Sequence, residues 1–168
     1  MKLLVLGGAR SGKSAYAEAR ADSHQGPLFY IATAEPRDGE MDERIRLHQD
    51  RRGPRWQTHE EALELVSLLD KIAREDGFIL VDCLTLWLSN LMFAERDIAQ
   101  EGQRLADRLP SLPGQICFVS NEVGQGIVPD NKLARDFRDH AGRLHQQMAK
   151  ACDEVVFVTA GLAQKLKG

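Results

Sequence analysis

Gly7-Gly8-Ala9-Arg10-Ser11-Gly12-Lys13-Ser14 stands directly after a short apolar run (2–6) and directly before a helix-forming stretch (13–23). The eight residues satisfy G-x-x-x-x-G-K-[ST]. Glycines at the ends of the loop let the backbone wrap closely around a phosphate. The loop N–H groups then converge beside a helix N-terminus, which favours negative charge. In this pattern Lys13 reaches the β- and γ-phosphates of a nucleoside triphosphate, and the Ser14 hydroxyl ligates Mg2+. A merely glycine-rich turn carrying a solvated lysine needs neither the buried strand before it nor the helix after it.

Outward from the loop, apolar strands alternate with helical stretches. Strands are expected at 2–6, 28–32, 56–58, 78–82, 115–120 and 154–159. Helices are expected at 13–23, 38–52, 60–74, 84–93, 98–109 and 131–152, the helix at 38–52 with Met41, Ile45 and His48 on one face. Strands that are apolar throughout and separated by helices indicate an α/β, P-loop NTPase-like fold: a mostly parallel sheet flanked by helices on both faces. Ligands of such sheets bind beyond the carboxyl ends of the strands, where Gly7, Thr33, Asp82, Asn121 and Thr159 to Gly161 fall. No repeat or linker divides the chain, so 1–168 reads as a single nucleotide-binding domain.

The chain has 168 residues, 43% hydrophobic and 28% charged, with a net charge of −3. That is ordinary globular composition, and the charge offers no general attraction for nucleic acid or an anionic membrane. Cys83, Cys117 and Cys152 lie far apart, which fits a reducing compartment and argues against a disulfide framework or a zinc site. No signal-peptide pattern and no apolar stretch of membrane-spanning length is present, so a cytoplasmic location is expected.

Three further features carry chemistry. Asp82 ends the run FILVD, the form of a carboxylate that holds Mg2+ directly or through water, although it could equally cap the helix after it. His48 lies among Arg44, Arg46, Arg51 and Arg52. It is either a structural histidine on a solvated face or a nucleophile toward phosphorus, kept neutral by the guanidiniums that also bind triphosphate oxygens. Residues 120–129 (SNEVGQGIVP) follow a strand and read either as a tight loop or as a substrate rim.

Together these stretches resemble the bifunctional adenosylcobinamide kinase / adenosylcobinamide-phosphate guanylyltransferase family of cobalamin assembly. The resemblance runs over nearly the whole chain. It rests on GGARSGKS (7–14), YIATAE (30–35), RIRLHQDRRGPRW (44–56), VDCLT (81–85), NEVGQGIVPDN (121–131) and LARDFRDHAGRLHQ (133–146). The first is shared by many NTPases; the histidine block and NEVGQGIVP are distinctive of this family. The resemblance implies phosphorylation of adenosylcobinamide by ATP or GTP, then guanylylation by GTP through a GMP–histidine intermediate. It gives His48 the nucleophile's role. It also places Thr33, Ala34, Glu35, Gln49, Asp50, Arg51, Arg52, Glu60 and Asp82 among the nucleotide contacts, and implies a homotrimer with sites near subunit boundaries. Asp82 stands where the family carries either acid, and its shorter side chain would favour contact with Mg2+ through water. Without the histidine block, the same loop would suit a plain small-molecule kinase, or a nucleotide-dependent switch using 121–129 to touch a partner.

Overall fold

The computed structural model describes residues 1–34 and 53–168. Strand β1 (Lys2–Gly7) is buried along its whole length and runs into the phosphate loop, which opens α1 (Lys13–Asp22). There follow β2 (Leu28–Ala32), β3 (Trp56–Glu60), α2 (Leu65–Ile72), β4 (Phe78–Asp82), α3 (Leu84–Phe93) and α4 (Ile98–Arg108), the last ending in a 3-10 turn. The chain closes with β5 (Gln115–Asn121), α5 (Lys132–Ala151), β6 (Glu154–Thr159) and β7 (Leu162–Lys167). The expected helix at 38–52 lies outside the described residues.

One seven-stranded sheet has the order β3-β2-β4-β5-β1-β6-β7. Every neighbouring pair is parallel except β6 with β7. Alternation along each strand divides the core into two layers. Leu4, Leu6, Ile79, Val81, Ile116 and Phe118 pack against α2, α3, α4 and α5. Leu3, Val5, Leu80, Cys117 and Val119 face the other way, with Ala17 and Ala21 of α1. Both faces are covered, which is why the strands read as continuous apolar runs instead of alternating ones.

Two expectations need correction. The helix expected over 60–74 begins only at Leu65, and β3 extends through Glu60. The Glu61 N–H continues the pairing by donating to Ala32 O, and its carboxylate accepts from the N–H groups of Leu63 and Glu64 at 3.0 and 2.9 Å. That local turn competes with the helix and delays it. The second correction is β7, an exposed antiparallel edge strand that the sequence reading leaves out. It is anchored by Lys167, whose Nζ donates to the carbonyls of Ala149 and Lys150 at the end of α5.

Candidate functional site

The phosphate loop is built for close approach. Gly12 has φ 99°, a left-handed conformation that costs glycine nothing, and a Cβ there would stand 3.1 Å from Gly161 Cα. At Gly7 a Cβ would lie 2.5 Å from Val158 O and 2.6 Å from Ser11 Oγ, so no side chain fits. The loop is pinned from both sides, since Glu122 N–H donates to Gly7 O at 2.9 Å and Gly161 N–H to Ser11 O at 2.8 Å.

What the loop leaves open matters as much. No side chain caps α1, whose N-cap is Gly12, and its first turn carries no acid. Its first N–H groups therefore remain available to an anion. Among the described residues Ser11 Oγ is buried with no hydrogen-bond partner, and a phosphate oxygen would satisfy it. Lys13 is only 7% exposed and rests its Nζ on Gly8 O at 2.9 Å. Burial lowers its pKa, and the neighbouring Cys83 and Asp82 partly offset that. A largely buried lysine whose ammonium rests on a loop carbonyl, beside an uncapped helix N-terminus, is an arrangement that suits an anion such as phosphate.

Asp82 ends β4 and shares a face with Leu80, the face that α1 covers. Its Oδ2 accepts from Tyr30 Oη at 2.8 Å. The helix-cap alternative does not hold: Cys83 occupies the N-cap of α3, and no side chain makes a capping bond there. Strand β5 lies between β4 and β1, so Asn121 and Glu122 at its end stand between Asp82 and the phosphate loop. Asn121 Nδ2 donates to Thr85 Oγ1 at 3.1 Å, and Glu122 holds its own loop by accepting from Gly124 and Gln125 N–H.

Among the other expected site residues, Ala34 is half-buried just beyond β2 and Glu60 is exposed at the end of β3. Thr33 is fully buried, and its polar groups are committed inside the protein. Its hydroxyl donates to Cys83 O and accepts from Cys83 N–H, both at 2.8 Å; its N–H donates to Asp82 O; its carbonyl accepts from Asn90 Nδ2 at 2.7 Å. Thr33 thus shapes the wall behind Asp82. Glu35, His48, Gln49, Asp50, Arg51 and Arg52 lie outside the described residues.

A cavity of about 610 Å3 opens beside the loop, lined by Gly8 to Ser11, by Glu122, Val123, Gln125 and Gly126, and by the end of β6. Among the described residues no three His, Cys, Asp or Glu side chains converge as a metal cluster. A cation here would rest on Asp82 and Ser14 together with nucleotide oxygens. That donor set suits Mg2+, which takes one or two carboxylates plus phosphates and water. Sequence reasoning missed Tyr30, Asn90 and the buried pair Ser120 Oγ and His145 Nε2, 2.7 Å apart.

The sheet and loop define a P-loop NTPase-like α/β protein. A solved ATPase of a bacterial type III secretion system shares this fold: TM-score 0.58, 11% identity, covering 98% of this chain and 56% of that one. Residues 3–166 match the family described as cobinamide kinase / cobinamide phosphate guanyltransferase. The bifunctional adenosylcobalamin biosynthesis protein CobP of Pseudomonas aeruginosa is 48% identical, covering all of this chain and 98% of that protein. The CobU proteins of Salmonella typhimurium and Escherichia coli are 43% and 40% identical, each covering 99% of this chain and 100% of the relative. The chain belongs to the cobinamide kinase / cobinamide phosphate guanyltransferase family.

Proposed function

We propose that this chain phosphorylates the aminopropanol hydroxyl of adenosylcobinamide with ATP or GTP, and then transfers GMP from GTP to give adenosylcobinamide-GDP and pyrophosphate. The observation that carries this reading is the family match over 3–166, on a chain whose phosphate loop is intact at the end of β1.

In the first reaction the substrate oxygen attacks the γ-phosphorus, the bond to the leaving nucleoside diphosphate breaks, and the hydroxyl proton is released. Lys13 and the loop N–H groups bind the charge that develops on the β- and γ-oxygens. Ser14 and Asp82 would hold Mg2+, which when bound neutralises part of the same charge.

In the second reaction a nitrogen of His48 attacks the α-phosphorus of GTP and pyrophosphate leaves. The phosphate oxygen of the first product then attacks the same phosphorus, and the imidazole departs. A phosphoramidate suits this exchange because it keeps GMP activated while its leaving group is replaced. The role of His48 is supported by the distinctive block 44–56, in which four arginines stand within four residues of the imidazole. The protein would work on small molecules in the cytoplasm as a homotrimer.

Adenosylcobinamide incubated with ATP and then with GTP tests the reading by mass analysis of the products. The expected sequence is the phosphate ester, then adenosylcobinamide-GDP with release of pyrophosphate. Arrest at the phosphate ester would reduce the protein to a kinase, and absence of both products would overturn the proposal.

A further inference from the structure

The hydroxyl of Tyr30 is out of keeping with its strand. β2 reads LFYIA, every residue is buried, and Tyr30 itself is 6% exposed. A phenylalanine would supply the same apolar area, whereas a buried phenol requires a partner. The register explains which partner it finds. Tyr30 pairs with Leu80 in parallel β4, so Asp82 is the diagonal neighbour on the same face, within reach of a tyrosine but not of a shorter side chain. The bond is made at 2.8 Å to Asp82 Oδ2. The ring packs edge-on against Trp56, centroids 6.4 Å apart, and Trp56 in turn meets Phe78 edge-on at 6.4 Å.

A carboxylate at the end of a strand rotates freely unless something holds it. We propose that Tyr30 is a positioning residue for the metal: its phenol fixes the Asp82 carboxylate by taking one oxygen, leaving the other for Mg2+ or the water bound to it. The inference rests on the reading of Asp82 as the metal-holding acid, and it adds a residue to which no metal role is otherwise assigned. Partners that orient a metal's ligands commonly matter by about 10- to 100-fold in metal affinity.

The test is the affinity for GTP, measured by titration calorimetry over a series of Mg2+ concentrations and again in EDTA. It is run on the native protein, Tyr30→Phe, Asp82→Asn and the double variant. Phenylalanine keeps the packing with Trp56, so the fold is retained. Tyr30→Phe is expected to raise the half-saturating Mg2+ by about tenfold while leaving GTP affinity in EDTA unchanged. The double variant is expected to show the same Mg2+ dependence as Asp82→Asn, because the effect of Tyr30 on the metal runs through that carboxylate. If Asp82→Asn shifts the Mg2+ dependence and Tyr30→Phe does not, the inference fails and the metal reading of Asp82 stands. If neither variant shifts it, the metal reading fails with it. Equal loss of GTP affinity with and without Mg2+ in Tyr30→Phe would also overturn the proposal, since the phenol would then be acting on the nucleotide pocket as a whole.

Discussion

Lys13 sits in an unfavourable place for a lone ammonium: buried, with a carbonyl as its hydrogen-bond partner and a pKa lowered by the loss of solvent. On the proposed function a triphosphate would complete its coordination, and part of the nucleotide's binding energy would come from relieving that cost. Lys13→Ala is therefore expected to abolish both phosphoryl and guanylyl transfer while the far-ultraviolet circular dichroism stays native, because its ammonium bonds within the loop, to Gly8 O, and ties no elements together. Near-normal rates in either assay would mean that the two reactions do not share the loop. The loop was legible from eight letters because its pattern has local reasons: glycine at Gly7 and Gly12, where a side chain would collide or strain the backbone, and lysine and serine where the proposed function puts phosphate and metal. Tyr30 was not legible, because its partner lies 52 residues away and is set by strand register, which no local pattern encodes.

At the scale of elements, β5 and α5 are joined by a buried polar contact, Ser120 Oγ to His145 Nε2. Burial holds the His145 pKa below its ordinary 6.5, with the charge of Glu122 opposing the shift. Below pH 6.5 the unfolded chain takes up a proton at this residue that the folded chain does not, so stability falls as pH drops toward the lowered pKa and this loss levels off beneath it. Melting temperatures between about pH 7.5 and about pH 5 should fall less steeply in His145→Gln than in the native protein. Parallel slopes would remove His145 from the acid response. The elements themselves were largely readable. β1, β2, β4, β5 and β6 are apolar runs bounded by glycine, proline or polar turns, and α5 falls within the expected 131–152, with Asn131 as its N-cap. The exceptions have physical causes. The Glu61 carboxylate takes the first N–H groups of the supposed helix. LAQKLK in β7 is exposed on both faces, so no burial imprints a pattern on it.

At the scale of the whole molecule, the carboxyl edge of the sheet gathers the phosphate loop, Asp82 and the β5 end into one region, and the 610 Å3 cavity opens beside that loop. Elsewhere Phe93 and Leu133, 62% and 59% exposed, line an apolar groove of about 440 Å3 with Met92 and Phe137. Exposed apolar surface of this kind supports the trimer we propose. Light scattering should give three times the 18.8 kDa chain mass, and a monomer at micromolar concentration would contradict it. On the proposed function one chain carries both chemistries, and His48 is the residue on which that turns. Intact-mass spectrometry after incubation with GTP and Mg2+ tests this most directly, on native protein and on His48→Ala. The native chain should gain the mass of one GMP, in a bond that acid cleaves and base does not, while His48→Ala gains none and retains kinase activity. A GMP adduct persisting on His48→Ala would move the nucleophile to another side chain and overturn the role of His48.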